Sequence, residues 1–163
     1  MPAALRIAPC LWFDHQAEEA ARFYVSVFPG SRIVAISHYG EVGQEIHRRP
    51  PGSVLTVEFE LQGQPMTALN GGPLFTFSEA VSLQVLCDSQ AEIDAYWAAL
   101  TAGGGQESQC GWLKDRYGFS WQVVGRNMDR LLTSGQAAAD RVMAALFPMK
   151  KLDLAALEAA FRG

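Results

Sequence analysis

The sequence predicts an α+β protein made of two similar halves followed by a helical C-terminal segment. Two observations lead to this prediction. A stretch near the N-terminus recurs in the middle of the chain, and both copies are flanked by strand-like and helix-like patterns in the same order. Composition agrees, because 163 residues with 49 % hydrophobic and 18 % charged side chains can bury the core of one ordinary globular domain.

The recurring stretch runs from Phe13 to Phe23 and again from Cys87 to Trp97. Asp, Gln, Ala and Glu stand at matching places in the two copies. Because Ala and Glu are common at any helix start, the repeat gains its weight from its surroundings. An apolar run typical of a strand precedes each copy, at Ile7 to Phe13 and at Val81 to Cys87.

A helix is predicted directly after each apolar run. We expect Asp14 and Asp88 to be the N-caps, because a carboxylate accepts hydrogen bonds from the free N–H groups of the first helical turn. Apolar residues follow at helical spacing in both copies. Each helix is expected to end at a breaker, Pro29-Gly30 in the first copy and Gly103-Gly104-Gly105 in the second.

Strands are predicted after the first helix at Arg32 to Tyr39, Ser53 to Leu61 and Gln64 to Asn70. The second of these alternates polar and apolar residues, as a strand with one buried face does. The polar loop from Gly40 to Gly52 separates the first two strands. Its basic run, His47-Arg48-Arg49, is expected to be solvated rather than to bind an anionic substrate.

The second half repeats this order less clearly. Strands are predicted at Glu107 to Leu113 and Phe119 to Val124, but a middle strand is hard to place in the short polar sequence between Gly105 and Trp112. The neighbouring Lys114 and Asp115 are expected to form a turn with a solvated ion pair.

Helical spacing returns after Gly125, at Asn127 to Thr133, Ala137 to Phe147 and Leu154 to Phe161. The apolar stripes of these helices are expected to pack onto their own sheet. A partner subunit is the alternative, and the two are not exclusive.

Charge and cysteine content exclude several classes of protein. A net charge of −4 offers no basic surface for nucleic acid or an anionic membrane. No apolar run approaches the length of a membrane span, and the N-terminus does not read as a signal peptide. Three widely spaced cysteines do not make a disulfide framework. We expect a soluble cytoplasmic protein.

Four stretches that together cover most of the chain resemble the PhnB-like branch of the vicinal oxygen chelate superfamily. They are PCLWFDHQAEEAARFYVSVFPGS from Pro9, GSVLTVEFELQGQPMTALNGGPLFTFSEAVSL from Gly52, CGWLKDRYGFSWQVV from Cys110 and MKKLDLAALEAAF from Met149. The superfamily includes glyoxalase I, bleomycin-resistance proteins and extradiol dioxygenases. This branch often carries a label borrowed from a 3-demethylubiquinone methyltransferase.

The resemblance implies an α+β fold of paired βαβββ modules that form curved mixed sheets around a cleft, with C-terminal helices. It implies one glyoxalase-like domain over residues 1–163, with module one at about 5–72, module two at about 78–125 and a helical extension at about 126–163. A homodimer is expected, because half-closed sheets leave edges and apolar rims that a second subunit can cover.

Active members of the superfamily hold a divalent metal with His, Glu or Asp side chains on the first and last strands of each module. The corresponding positions here are Ala8 or Pro9, a residue among Thr67 to Asn70, Ser82, and Gln122. None of these is a good ligand for Zn²⁺, Ni²⁺ or Fe²⁺. The histidines and cysteines are dispersed, and a lone Cys in an apolar strand is usually a small buried hydrophobe. No metal and no cofactor are therefore predicted.

The candidate ligand-binding residues are Trp12, Phe59, Asn70, Ser82 and Gln122, which combine aromatic surface with neutral hydrogen-bonding groups. The expected ligand is a small aromatic or hydrophobic compound. Neighbours on a strand point to opposite faces, so the residue before Gln122, a tryptophan, is expected to pack under a helix if Gln122 faces the cleft.

Three functions stay open at this point. The first is a metal-free protein that binds a small molecule. The second is a metal-dependent lyase or dioxygenase with non-standard ligands, and the third is a dimeric interaction module with a vestigial cleft. Whether any reaction is catalysed is not decided. Methyl transfer is not expected, because the one glycine cluster follows a helix and precedes a strand, the reverse of a nucleotide-binding turn.

Overall fold

The computed structural model describes residues 7–163, which form a first unit up to Thr76 and a second unit from Phe77 to Gly163. The elements are β1 (Cys10–Phe13), α1 (Ala17–Val27), β2 (Arg32–His38), α2 (Gln44–His47), β3 (Val54–Leu61), β4 (Gln64–Asn70), β5 (Ser82–Cys87), α3 (Gln90–Thr101), β6 (Gln106–Glu107), β7 (Trp112–Lys114), β8 (Ser120–Gly125), α4 (Met128–Thr133), α5 (Gln136–Leu146) and α6 (Leu154–Arg162). The boundary between the units falls in the interval predicted between the two modules. That the whole chain is one domain stays a prediction.

The first unit is a four-stranded mixed sheet in the order β1-β4-β3-β2, with α1 on one face. β1 pairs with β4 in parallel, and the other two pairings are antiparallel. Small residues let α1 lie close to the sheet, since Ala17, Ala20 and Ala21 are fully buried and Tyr24 reaches the Phe59 ring.

The second unit repeats this topology. Its sheet has the order β5-β8-β7-β6, again with a parallel first pair and antiparallel neighbours, and α3 covers one face. Each unit therefore runs strand, helix, three strands, with the last strand paired beside the first. The α+β class, the βαβββ order and the C-terminal helices predicted from the sequence are confirmed.

The C-terminal helices of the second unit pack against one another, α5 with α4 and with α6. The hypothesis that their apolar stripes pack onto their own sheet stays a prediction. Leu131, Val142 and Leu157 are fully buried. Gln90 holds the segment before α6, because its Nε2 donates to the carbonyl of Leu152 (2.9 Å) and its Oε1 accepts from the Leu154 N–H (2.9 Å). Within residues 7–163, none of the helices has both the length and the apolar character needed to span a bilayer.

The predicted N-caps are wrong. α1 begins at Ala17 and its N-terminal N–H donates to Asn70 Oδ1 (2.8 Å), whereas Asp14 binds the Arg49 guanidinium. α3 is capped by Ser89, one residue after Asp88. The sequence located each helix to within a few residues but could not show which neighbouring polar side chain accepts the free N–H groups.

The predicted strand from Glu107 to Leu113 is also wrong. It divides into the two-residue β6 and the short β7, and the chain turns between them with positive φ at Cys110 (57°) and Gly111 (83°). Gly111 tolerates this conformation, and a Cβ there would stand 2.8 Å from the carbonyl oxygen of Val123. The polar composition of this segment reflects that turn.

Two groups of charged residues were predicted to be solvated, and the structure corrects both predictions. The loop from Gly40 to Gly52 contains the short α2, and its His47 ring packs against Tyr39 with centroids 4.4 Å apart. Arg49 is tied down by Asp14, through both the carboxylate and the main-chain carbonyl. His47 and Arg49 are therefore part of the folded unit, whereas Arg48 is exposed as predicted.

Asp115 is the other group. It is 2 % exposed and accepts hydrogen bonds from the Tyr117 N–H (2.8 Å), the Phe119 N–H (3.1 Å) and the Trp121 indole (2.9 Å). Its sequence neighbour Lys114 pairs instead with Glu79. The two charges point to opposite sides of the turn, so they do not neutralise each other.

Candidate functional site

The second sheet has one face buried under α3 and an opposite face that carries mostly polar side chains. Leu113, Trp121 and Val123 belong to the buried face and are at most 2 % exposed. Successive residues of a strand alternate between faces, so their neighbours lie on the other side. We call the part of that side around Gln122 the distal face; its residues are Ser82 and Gln84 on β5, Ser120 and Gln122 on β8, and Trp112 and Lys114 on β7. The apolar pair Leu86 and Val124 continues the same side beyond it.

Strand register arranges the distal face in two rows. Ser82, Ser120 and Lys114 are partners across β5, β8 and β7 and form the first row. The second row is formed in the same way by Gln84, Gln122 and Trp112. Each row therefore brings together side chains that are far apart in sequence, and both rows lie on rigid, hydrogen-bonded strands.

Hydrogen bonds join the two rows through Gln122. Its Nε2 donates to Ser82 Oγ (2.8 Å), and its Oε1 accepts from Gln84 Nε2 at 3.4 Å. Ser82 and Gln122 were both predicted as binding residues, and the structure places them side by side. The groups are neutral, and each primary amide has more hydrogen-bonding sites than these contacts use.

A pocket of about 150 Å³ adjoins the first row of the distal face. It is lined by Glu79, Gln106, Glu107, Ser108, Trp112, Leu113, Lys114 and Ser120. Lys114 forms an ion pair with Glu79, and the hydrogen bond from the Lys114 ammonium lowers the pKa of the Glu79 carboxyl below its usual value. Glu79 is therefore ionised at neutral pH.

Ser120 supplies the unusual feature of this pocket. The residue is 1 % exposed, and among the residues that the structure describes its Oγ has no hydrogen-bond partner. A buried hydroxyl without a partner costs free energy, so such groups are rare in folded proteins. Ser120 is thus a hydrogen-bonding group available to a molecule that enters beside it.

Trp12, a predicted binding residue of the first unit, anchors the segment after β4. Its indole N–H donates to the carbonyl of Gly72 (2.8 Å), and its ring makes an edge contact with Phe75 at 5.0 Å between centroids. Gly71 must be glycine for this contact, since a Cβ there would lie 2.3 Å from the indole. The visible role of Trp12 is to hold this segment against β1.

The other two predicted residues of the first unit lie on the buried face of its sheet. Phe59 is 1 % exposed and packs near the Tyr24 ring under α1. Asn70 caps α1 at Ala17, and its Nδ2 donates to the carbonyl of Val54 (3.0 Å). These contacts give both side chains structural roles in the core of the first unit.

The exposed face of the first sheet carries Cys10, Glu58 and Thr67. The Thr67 hydroxyl donates to Glu58 Oε2 (3.0 Å), and Cys10 is the strand partner of Thr67. Partial desolvation and the Glu58 carboxylate raise the pKa of the Cys10 thiol. The expectation that a lone strand cysteine is buried is wrong for Cys10, which is exposed, and confirmed for Cys87.

The donors present do not fit the divalent metal that the superfamily resemblance implies. In the part of the chain that the structure covers, residues 7–163, no group of three or more His, Cys, Asp or Glu side chains could hold an ion. Ser82 and Gln122 do meet, but a neutral hydroxyl and a neutral amide are poor ligands for Zn²⁺, Ni²⁺ or Fe²⁺. His47, the one histidine packed against a ring, has Tyr39 rather than a second ligand beside it.

Sequence reasoning missed Gln84 and Ser120 on the distal face. A signal for both was present, because each stands two residues from a predicted binding residue in a strand. Period-two alternation puts Gln84 with Ser82 and Ser120 with Gln122. Glu79 carried no such signal, since it comes from the irregular segment before β5 and meets Lys114 only through the fold.

Comparison with known proteins agrees with this fold. A family profile described as 3-demethylubiquinone-9 3-methyltransferase matches residues 5–124. The structure of a PhnB protein from Bacillus cereus, which is described by the same methyltransferase name, is 35 % identical with a TM-score of 0.65; the alignment covers 74 % of this chain and 99 % of that chain. The search of curated proteins returned no match.

Two further solved structures are more distant. Protein PA1353 from Pseudomonas aeruginosa is 21 % identical with a TM-score of 0.60, over 75 % of this chain and 98 % of its own. A glyoxalase/bleomycin resistance protein from Albidiferax ferrireducens is 14 % identical with a TM-score of 0.47. The alignment covers 76 % of this chain and 99 % of that chain.

The profile match extends from the start of the first half to the last strand of the second, and the C-terminal helices follow it. Both the duplicated βαβββ topology and the 35 % identity to the PhnB protein agree with the resemblance seen in the sequence. The chain belongs to the PhnB-like family, whose profile bears the name 3-demethylubiquinone-9 3-methyltransferase.

Proposed function

We propose that this protein binds a small organic molecule at the distal face of its second sheet and that it does so without a metal ion. The observation that carries the proposal is the hydrogen-bonded set Ser82–Gln122–Gln84. It occupies the first and last strands of the module, where active members of the superfamily carry metal ligands.

Neutral amides suit an organic ligand because they both donate and accept hydrogen bonds. Binding sites for small molecules commonly combine a few such oriented groups with aromatic or apolar surface. Trp112 supplies aromatic surface in the same row as Gln122. The distal face thus has the composition of a binding site on strands that fix the position of each group.

A metal-dependent lyase or dioxygenase would need a different donor set. Ions such as Zn²⁺ and Fe²⁺ require several imidazole, thiolate or carboxylate donors that converge. Ser82 and Gln122 replace such donors with groups that bind these ions weakly. The absence of cofactors is accordingly part of the proposal.

Methyl transfer, the activity in the family's name, is not part of the proposal. A glycine-rich turn between a strand and a helix is the usual cradle for a nucleotide-like donor. The two long helices that directly follow a strand are α1 and α3. Their junctions, Asp14–Gln16 after β1 and Asp88–Ser89 after β5, contain no glycine. These two junctions therefore offer no glycine-rich cradle for the adenosine and methionine parts of S-adenosylmethionine.

A homodimer in the cytoplasm completes the proposal. Val34 on β2 and Leu86 on β5 are large apolar side chains that are about half exposed, at 50 % and 46 %. Each lies on a strand at the edge of its sheet, and an edge strand can pair with another subunit. Light scattering coupled to size exclusion is expected to give twice the mass of the chain. A measured mass equal to that of a single chain would reject the dimer.

The function is tested by screening a library of chemically varied fragments against the ¹⁵N-labelled full chain by NMR. We expect at least one fragment to shift the side-chain amide signals of Gln122 and Gln84. Gln122→Ala is expected to lower the affinity for that fragment about tenfold, which is the effect of losing one or two oriented hydrogen bonds. Gln109→Ala, an exposed glutamine of the same unit, is the matched control and should leave the affinity unchanged. Fragments that never perturb the distal face would reject the proposal.

A further inference from the structure

The pocket beside the first row of the distal face has a chemistry of its own. Its lining contains one ammonium group, on Lys114, and one buried hydroxyl without a partner, on Ser120. The two residues are strand partners, and both side chains lie on the distal face. Resting on the proposed function, we infer that this pocket takes a small aromatic carboxylate whose carboxyl group replaces Glu79 as the partner of Lys114.

The volume limits the size of the ligand. A cavity of about 150 Å³ is well below the size of pockets for drug-sized molecules and matches cavities that hold a single benzene ring. Trp112 lines the pocket and is half-buried, so its ring provides a surface for an aromatic partner. One ring with one short substituent is the ligand that fits both observations.

Glu79 already shows the position that a ligand carboxylate would take. It belongs to the irregular segment between β4 and β5, and its side chain is 61 % exposed. An exposed ion pair of this kind contributes little to stability, so Glu79 can leave at low cost. The lowered pKa of its carboxyl shows that the site beside Lys114 favours an anion.

Glu107, the other acidic residue of the lining, is engaged elsewhere. Its Oε1 accepts a hydrogen bond from the Trp97 indole (2.7 Å), and its Oε2 lies 3.9 Å from Lys150 Nζ. Its charge is therefore directed to groups on the α3 side of the sheet and toward the C-terminal segment. The Ser120 hydroxyl is the buried polar group of the lining that has no partner among residues 7–163, and it can donate to the second oxygen of a carboxylate next to Lys114.

The test uses three single-ring probes of similar size and different charge: benzoate, benzamide and benzylammonium. Each is titrated into the ¹⁵N-labelled full chain while the indole N–H signal of Trp112, assigned with Trp112→Phe, is followed. Benzoate is expected to bind about tenfold more tightly than benzamide, because only benzoate gains the charge-assisted contact. Benzylammonium is expected to bind more weakly than both.

Three variants separate the contributions. Lys114→Met should remove the preference for benzoate over benzamide. It should leave the affinity for benzamide within about twofold of the wild-type value. Glu79→Gln should raise the affinity for benzoate several-fold, because it removes the carboxylate that competes for Lys114. Lys151→Met is the matched control, since Lys151 pairs with Asp94 on α3 (2.6 Å) and does not line the pocket, and it should change neither probe. Thermal melts of every variant confirm that the fold is retained.

The outcomes distinguish this inference from the proposed function. Equal binding of benzoate and benzamide, tighter binding of benzylammonium, or benzoate binding that is indifferent to Lys114→Met would each overturn the carboxylate assignment. Such a result leaves the proposed function standing if other fragments still shift Gln122 and Gln84. If no probe and no fragment perturbs the distal face, both are rejected.

Discussion

Asn70 shows how a polar side chain at the end of a strand can serve the fold. By residue type it was a candidate for ligand binding, but its amide caps α1 at Ala17 and also binds the carbonyl of Val54. A single side chain therefore ties β4 to two other parts of the first unit. The sequence could not reveal this role, because the α1 N-terminus meets Asn70 only after the strand pairs with β1.

Asp115 provides a stability prediction at the same scale. Asp115→Ala removes an acceptor from the Phe119 N–H and the Trp121 indole, both buried. We expect the free energy of unfolding to fall by about 3 kcal/mol, as expected when buried donors lose a charged partner. Asp115→Asn keeps one acceptor oxygen and should cost less, about 1–2 kcal/mol. Urea denaturation measures both changes.

Asp140→Ala is the control for Asp115. Asp140 is exposed and its carboxylate accepts from Gln136 within α5 (2.6 Å), so its removal should change stability by less than about 0.5 kcal/mol. Equal losses for the two alanine variants would show that Asp115 does not organise the turn between β7 and β8.

The cysteines yield a prediction about reactivity. Burial, together with Glu92 and Asp88, raises the pKa of the Cys87 thiol to about 11, whereas Cys10 is exposed. Because the thiolate is the reactive form, a thiol-specific reagent at pH 8 should not modify Cys87 in the folded protein. Cys87→Ser should leave the number of thiols that react in the native state unchanged, and Cys10→Ser should lower it by one. If Cys87 in the native protein were labelled as fast as Cys10, the result would contradict the burial of the Cys87 side chain.

For individual residues, the alternation of side chains along a strand was the most useful rule, because it predicted which face of the sheet a side chain occupies. Trp121 is 2 % exposed on the α3 side, and Gln122 points to the opposite face, as the pattern required. The same rule could not foresee that Lys114 would choose Glu79 over its neighbour Asp115. Partners from distant segments depend on how the chain folds, and local sequence carries no record of them.

Among elements, the strands and helices with a clear apolar period were predicted to within one or two residues at most ends. β4, predicted at Gln64 to Asn70, has those bounds in the structure. β6 was not identifiable, because two residues held between a helix and a turn have no period to read. Strand pairing with β7, not local preference, creates this element.

The junction of α4 and α6 is expected to be sensitive to acid. Glu158 on α6 accepts hydrogen bonds from Arg130 and from Asn127 (2.6 Å), and the Arg130 bond, followed by the Asn127 bond, lowers the pKa of its carboxyl below the usual value near 4.5. A lowered pKa in the folded state means that this stabilisation is complete above about pH 4.5 and is lost as pH falls through the folded pKa. In urea denaturation, Glu158→Gln should be less stable than the wild type at pH 7, and the difference should shrink progressively as the pH falls below about 4.5.

Glu41→Gln serves as the control for acid sensitivity, since Glu41 lies in the exposed loop before α2. The difference in stability between this variant and the wild type should be small, because an exposed loop side chain contributes little to the free energy of unfolding. A constant difference between Glu158→Gln and the wild type down to pH 3 would show that the carboxylate charge does not hold the two helices together.

At the scale of the whole molecule, duplication made the fold predictable. Two copies of one strand-helix-strands order, read from the sequence, correspond to two sheets with the same topology, β1-β4-β3-β2 and β5-β8-β7-β6. The candidate site was predictable in part. Ser82 and Gln122 followed from a comparison of ligand positions, whereas the pocket at Ser120 depends on a hydroxyl left unpaired by the fold.

The two copies have diverged in what their strands present. The first sheet exposes Cys10, Glu58 and Thr67, and the second exposes amides, hydroxyls and Trp112. One topology can therefore carry different chemistry in its two copies, because the core face fixes the fold and the other face is free to vary. The proposed binding site uses the second copy alone.

The most direct test of metal-free binding is to measure the affinity of an organic fragment for the full chain with and without excess EDTA, while the Gln122 side-chain amide is followed by NMR. The account predicts that the chelator leaves the affinity unchanged and that the Gln122 signals shift in both conditions. Loss of binding in EDTA, with recovery when Zn²⁺, Ni²⁺ or Fe²⁺ is added back, would contradict it.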